Sequence, residues 1–367
     1  MSELPTIYRG LSGIYVDSTA ISKVDGEKGI LSYRGESIEA LAKHDFIEVC
    51  YLLLFDKYPS AEEKAQFHYF LISHSYISEA EEKILRSLNP NLHPMKMLQG
   101  MVPLLELDAQ ITHDFEAEMA DGLIVAAKVP ALLAAYHQIC LGKPIIQTNK
   151  ELSFHASFLH RFGGKLPSDE QVAILDVTQI LQMEHSFNAS TYAALVTAST
   201  LSPVECAIST GFGTLFGKLH GGADQAALEM AMGIGDVADV ENFVTTALKN
   251  KQKIMGMGHR VYKVVDPRAK ILKPMARELC LGTPFEKTYL ILEEIERVMG
   301  VEMNKKGKNI KANVEFYKGP VFYALGIPVN YFTALFAMSR VFGYLAHILA
   351  SREDNVLIRP KAYYIGK

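Results

Sequence analysis

The chain has 367 residues, 49% of them hydrophobic and 21% charged, with a formal net charge of -4. That is enough for one large or two ordinary domains with a proper core, and it leaves no global basic field for nucleic acid or an anionic membrane. Cys50, Cys140, Cys206 and Cys280 show no CxxC or zinc-type spacing, which fits free thiols in a reducing compartment rather than a disulfide framework.

In chain order, MSELPTIYRGLSG lacks the basic-then-apolar layout of a signal peptide, so a cytoplasmic location is expected. YVDSTAISKV and GILSYRGE, split by Asp25-Gly26-Glu27, predict a short hairpin. From there the pattern is helical. Ser60-Ala-Glu-Glu63, Ser78-Glu-Ala-Glu81 and Ser168-Asp-Glu-Gln171 each have capping-box spacing before a run of helical periodicity. The most apolar run, GLIVAAKVPALLAAY, is interrupted by Lys128 and Pro130 and reads as too short to span a bilayer.

Glycine and proline cluster between 211 and 235, and again at Gly319-Pro320 and Gly326-Ile-Pro328. They bracket a segment richer in Lys and Arg than its flanks. An all-α protein follows, with a large domain of residues 1–221 and 325–367 and an inserted small domain of residues 222–324. Two glycine-rich hinges would join them, with a cleft between. GFGTLFG lacks a preceding strand and a GK[ST] ending, so it reads as helix packing or a hinge, not a phosphate loop.

Three polar stretches stand out: QMEHSFNAST with His185, GKLHGGAD with His220, and MGMGHRVYKVVDPRA with His259, Arg260, Lys263, Asp266 and Arg268. No short metal-ligand pair such as HExxH occurs, so no metal site is expected. Two glycines after His220 let the chain turn closely, and the helix start beyond them disfavours the imidazolium. A neutral His there suits polarising a carbonyl oxygen. Asp266 can cap a helix that begins at Pro267, which fixes Arg268 in the first turn, able to grip a carboxylate. An ordinary capped surface helix would explain Asp266 and Pro267 but not the GHRVYK before them.

Arg340 sits in the apolar run FAMSRVFG and needs an anionic partner from the protein or a ligand. Arg359 is held by the proline after it. In NVEFYKG, Glu315 lies between Val314 and Phe316, as a structural, solvated or catalytic carboxylate. Together these groups would suit carbon–carbon chemistry beside a carbonyl. A base removes an α-proton, a neutral His stabilises the enolate, and arginines hold an anionic acceptor.

KLHGGAD, GMGHRVYKVVDPRA, NVEFY and the terminal SR…RP…Y-G, in this order and spacing, resemble the citrate synthase family in its short bacterial and archaeal form, over nearly the whole chain. The resemblance implies an almost entirely helical homodimer whose small domain closes over oxaloacetate, with no permanently bound cofactor. Its coenzyme A thioester is a substrate: acetyl-CoA, oxaloacetate and water give citrate and CoA. By the same resemblance His220 stabilises the enol, Glu315 stands at the catalytic aspartate, and His259 bonds the oxaloacetate carbonyl. His185, Arg268 and Arg340 match oxaloacetate ligands, and Arg359 matches the arginine donated across the dimer interface. Met257, Gly258, Arg260 and Lys263 match the coenzyme A region, which Lys305, Lys306, Lys308 and Lys311 would extend unless they form a solvated loop.

The chain departs from the family at three points. The family's DHE is Glu184-His185-Ser186, its RPR is Arg359-Pro360-Lys361, and its catalytic aspartate is Glu315, one methylene longer. It also lacks the N-terminal domain of longer relatives regulated by NADH, so a dimer without that control is expected. The nearest rival is 2-methylcitrate synthase, which takes propionyl-CoA; its relatives tend to have proline and threonine in place of Arg260 and Lys263, and FFSA-like residues after the aspartate. A rival of another class is a non-catalytic acyl-CoA or dicarboxylate-binding protein.

Overall fold

The computed structural model describes residues 6–11, 13–107, 115–258 and 261–366; His259 and Arg260 lie outside them. The predicted hairpin is present. Strands β1 (Ser22–Asp25) and β2 (Ile30–Tyr33) pair antiparallel, with Ser22 opposite Tyr33 and Asp25 opposite Ile30, and β3 (Glu36–Ser37) extends the sheet.

Apart from this sheet, the regular secondary structure of the described chain is helical. The helices are α1 (Ile38–Leu41), α2 (Phe46–Phe55), α3 (Ala61–His74), α4 (Glu79–Ser87), α5 (Pro94–Met101), α6 (Ala117–Cys140), α7 (Phe154–Gly163) and α8 (Asp169–Gln182). They continue with α9 (Ala189–Ala198), α10 (Val204–Leu215), α11 (Ala223–Ile234), α12 (Val240–Lys249), α13 (Pro267–Cys280), α14 (Glu286–Asn304), α15 (Glu315–Ala324) and α16 (Phe332–Glu353). All three predicted capping boxes form, at Ser60–Glu63, Ser78–Glu81 and Ser168–Gln171. In each, side chain and backbone exchange hydrogen bonds, which satisfies donors that a helix start leaves open.

The apolar run around Lys128 and Pro130 is not interrupted. It lies inside the 24-residue helix α6. Lys128 is tolerated there because its Nζ donates to both oxygens of Glu81, at 2.9 Å each, and to Tyr76 O at 3.2 Å. By length and composition α6 and the Val329–Glu353 stretch could each cross a membrane, yet 83% and 94% of their most apolar windows are buried within the fold. They are apolar on every side because protein surrounds them.

Helix α16 is the centre of the molecule and packs on α2, α6, α8, α9 and α10. Helices α11 to α15 pack largely on one another, α15 against α11 and α13, and α14 against α12. The glycines serve close approach more than hinging. A Cβ at Gly211 would stand 2.8 Å from Tyr344, and one at Gly213 would stand 2.4 Å from Gln99, so GFGTLFG is a packing segment of α10. Gly319-Pro320, expected at a hinge, lies inside α15, where a Cβ at 319 would come within 3.3 Å of Asp224 O and Leu228 Cβ.

The Glu81–Lys128 pair is almost fully enclosed, at 1% side-chain exposure for each partner, so removing one partner strands the other charge in the core. Glu81→Ala is expected to cost about 3–5 kcal/mol in urea unfolding, against about 1 kcal/mol for the exposed cap variant Ser60→Ala.

Candidate active site

A cavity of about 1410 Å³ opens where α9, α11, α13, α15 and α16 converge, and His185, His220, Arg268, Glu315 and Arg340 all line it. Gly258 lines it as well. Each of these side chains is delivered by a helix end or a tight turn, apart from Arg340, which projects from the middle of α16.

His220 follows a turn closed by its own N–H bonding Gly217 O at 2.9 Å. A Cβ at Gly221 would lie 2.4 Å from Leu215 O, so only glycine allows this close return of the chain. Gly222 then precedes α11. The His220 Nε2 meets Ser190 Oγ at 2.7 Å and Asn188 Oδ1 at 3.1 Å. Asn188 is itself fixed as the cap of α9, accepting from the Ser190 and Thr191 N–H groups. Burial pushes the His220 pKa down to about 4, helped by the Arg340 and Lys318 charges and opposed by Glu315. The imidazole is therefore neutral at ordinary pH, by desolvation and neighbouring cations more than by the helix end invoked from sequence.

Glu315 is the first residue of α15, and the turn that carries it is tied on several sides. Val314 N–H donates to Asp266 Oδ2 at 3.3 Å, and Asn313 binds Gly256 O and Gly258 O through its backbone and side chain. The Tyr317 hydroxyl donates to Glu296 on α14. Lys318 Nζ donates to Gln182 Oε1 at 2.8 Å and stands 3.3 Å from Asp224 Oδ2, an ion pair without hydrogen-bond geometry. Phe316 packs so closely on Gly256 that a Cβ there would lie 2.7 Å from its ring.

The arginines are buried and pre-set. Asp266 caps α13 at Pro267, and Arg268 turns its fork back onto that same carboxylate, Nε to Oδ1 at 3.0 Å and Nη2 to Oδ2 at 2.7 Å. Burial lowers the Arg268 pKa, but the charge and hydrogen bonds of Asp266 outweigh it and raise the net value. Arg340 donates through Nε to Gln182 O at 2.9 Å and stacks 4.6 Å from the Phe336 ring centre. Burial lowers its pKa against the opposing charge of Glu184. Glu184 is itself fully enclosed, accepting from Ser22 Oγ at 3.0 Å and bonding His347 Nε2 at 2.9 Å. Burial raises the Glu184 pKa, while the charge and hydrogen bond of His347, the Arg340 charge and Ser22 together hold it below the ordinary carboxylate value. His185 follows directly, its Nε2 3.1 Å from the Tyr262 hydroxyl, and Ser186 takes the left-handed φ of 52° that aims this short turn.

Other residues singled out from sequence lie elsewhere. Met257 forms an isolated bridge with Ala312 beside the cavity, and the Lys263 backbone bonds Gly26 O in the hairpin turn. Arg359 is exposed on the C-terminal segment and does not line the cavity of its own chain. Sequence reasoning missed Asn188, Ser190, Phe336 and Lys318. The first two sit inside QMEHSFNAST, where an Asn before Ala-Ser is a cap signal; Phe336 precedes Arg340 by one helical turn, and Lys318 follows Glu315 by three residues.

A neutral imidazole and a carboxylate on one cavity, with buried guanidiniums beside them, are a setting for the enolate chemistry of acyltransferase-type enzymes. A family model described as "Citrate synthase, C-terminal domain" matches residues 10–361. A citrate synthase of Synechocystis is 40% identical over 100% of this chain and 92% of its own length. A 2-methylcitrate synthase of Shewanella oneidensis is 33% identical over 97% of this chain and 94% of its own. The solved citrate synthase of Thermoplasma acidophilum, in a ternary complex with carboxymethyl coenzyme A and oxaloacetate, superposes with a TM-score of 0.91 at 31% identity, covering 99% of this chain and 97% of that one. The chain belongs to the citrate synthase family.

The depressed His220 pKa has a consequence for stability. Between its folded value of about 4 and an unfolded value of about 6.5 the unfolded chain binds the extra proton, so stability rises with pH across that window. His220→Gln is expected to flatten this part of the pH–stability curve, read as urea midpoints at pH 7, 5.5 and 4; an unchanged slope would contradict the assignment.

Proposed function

We propose that the chain acts as a citrate synthase, condensing acetyl-CoA with oxaloacetate and water to give citrate and CoA in the tricarboxylic acid cycle of the cytoplasm. The observation that carries this reading is the shared cavity of Glu315, His220, Arg268 and Arg340. Glu315 takes a proton from the acyl methyl group. His220, neutral and held through Nε2 beside Ser190 Oγ and Asn188 Oδ1, bonds the thioester oxygen as the enol forms. The enol carbon attacks the oxaloacetate carbonyl, bonded by His259, and water then cleaves the citryl thioester to release CoA. His185, Arg268 and Arg340 hold the oxaloacetate carboxylates; Asp266 engages Nε and Nη2 of Arg268, leaving Nη1 for the ligand. Met257, Gly258, Arg260 and Lys263 receive the coenzyme A moiety, and no metal or resident cofactor takes part.

Residues 222–324 form a small domain that closes on the remainder once oxaloacetate is bound. Arg359 reaches the site of a second copy in a homodimer, a role supported by its exposure and its absence from the lining of its own chain's cavity. The second reading, 2-methylcitrate synthase, is favoured by the relatives of that name, whereas Arg260 and Lys263 favour the acetyl substrate. One methylene of acyl chain is worth only about 1–3 kcal/mol of discrimination.

Thiol release from acetyl-CoA and propionyl-CoA, with and without oxaloacetate, tests the reading. Oxaloacetate-dependent release with the higher kcat/KM for acetyl-CoA is expected; a preference for propionyl-CoA would establish the second reading, and no release would leave a binding protein. Glu315→Gln is expected to lower kcat by about 10²–10⁴-fold, and Glu315→Asp to change kcat with oxaloacetate affinity little altered.

Donation of Arg359 is tested by mixing two inactive variants, Arg359→Ala and Glu315→Ala, under conditions that exchange subunits. A hybrid dimer then holds one site with both groups intact, so activity is expected to return. Continued inactivity of verified hybrids would place Arg359 in its own chain's site.

A further inference from the structure

The NVEFYKG stretch carries a second charge that the proposed chemistry does not use. Lys318 is fully buried, one helical turn beyond Glu315 on α15. Its ammonium contacts three elements at once. It donates to Gln182 Oε1 at the end of α8, pairs with Asp224 Oδ2 at 3.3 Å in the first turn of α11, and lies 4.2 Å from the centre of the Phe336 ring on α16. Arg340 stacks on that same ring. Asp224 is also fully buried, and its other oxygen accepts from Gln225 N–H at 2.8 Å.

The positions of the two partners give the pair its meaning. Asp224 lies four residues after His220, across Gly221 and Gly222; Lys318 lies three residues after Glu315. Between His220 and Asp224 the chain is pinned by the close approach of Gly221 to Leu215 and by Thr333 Oγ1 donating to Gly221 O at 3.2 Å. Between Glu315 and Lys318 it is one helical turn. The ion pair therefore closes a short rigid loop that runs from one reacting side chain to the other. Gly319 brings the two helices close enough for it, with Asp224 O at 3.3 Å from the position of a Cβ.

We propose that Lys318 is a positioning residue for the reaction, which sets the gap between the Glu315 carboxylate and the His220 imidazole through its buried pair with Asp224. This rests on the roles given to Glu315 and His220 above. A glutamate base has one more rotatable bond than an aspartate, so its reach depends more on how firmly its backbone is held. A displacement of about 1 Å at such a site costs up to about 100-fold in rate. The acceptor side, Arg268 and Arg340, does not depend on the pair in the same way: Arg268 is held by Asp266, and Arg340 by Gln182 O and Glu184.

The test compares the wild-type chain with Lys318→Met, Asp224→Asn and the double variant. Asp224→Asn keeps the shape of the site and carries the test if Lys318→Met does not fold. Melting curves confirm folding, calorimetry gives the oxaloacetate Kd, and steady-state assays use acetyl-CoA with and without deuterium on the methyl group. Each single variant is expected to lose about 10- to 100-fold in kcat, with oxaloacetate Kd within about twofold of wild type. The isotope effect should rise, because proton transfer comes to limit turnover. The double variant should lose no more than the worse single one, since the pair acts as a unit. A wild-type chain without oxaloacetate-dependent release would remove the activity and this role together. An active wild type whose folded variants keep kcat and isotope effect, or whose two losses multiply, would overturn the role alone.

Discussion

Arg340 places a guanidinium in the middle of the central helix, 1% exposed, among Phe336, Val341 and Phe342. A charge in such surroundings is untenable alone, and much of the neighbouring structure answers it. The carbonyl of Gln182 ends α8 against it, the Phe336 ring stacks on it, and Glu184 opposes its charge from a pocket closed by Ser22 and His347. Gly343 leaves room for this carboxylate: a Cβ there would stand 2.5 Å from Glu184 Oε2. The strand β1, the turn after α8 and the body of α16 are thus joined around one cation, and that joint faces the cavity.

The same constraint recurs along the cavity wall with a different outcome each time. Arg268 is neutralised by the carboxylate that caps its own helix, and that carboxylate also receives the backbone of Val314, next to Glu315. Lys318 pairs with Asp224 and donates to Gln182. His220, surrounded by these cations and out of water, gives up its proton and stays neutral. The cavity wall is in this way rich in fixed positive charge, yet each charge is held by something the protein supplies, so the geometry is set by the protein alone.

Much of this was legible in the residues themselves. The capping boxes, the hairpin and the Asp266-Pro267-Arg268 helix start follow local rules, and each forms where those rules put it. Glu315 was conspicuous because a carboxylate between Val314 and Phe316 contradicts its surroundings. Lys128 misled for the same reason: a charge and a proline within an apolar run suggested a break, while the carboxylate that removes the penalty, Glu81, lies 47 residues earlier in sequence. Gly319-Pro320 misled because a glycine that lets two helices touch and a glycine that lets a chain bend look alike in one dimension.

The sequence by itself determined the helical class, the helix starts and the chemical kinds of group available, because caps, periodicity and motif spacing act over a few residues. Only the tertiary structure decided which charges meet. That Glu184 answers Arg340 and that Lys318 bridges to Asp224 depend on helices brought together from distant parts of the chain. The energy of a charge is set by what surrounds it in space, within a few ångströms, and no local pattern carries that information. For Glu315 the sequence showed a carboxylate in an apolar setting, and the fold shows the framework of ties that holds its turn.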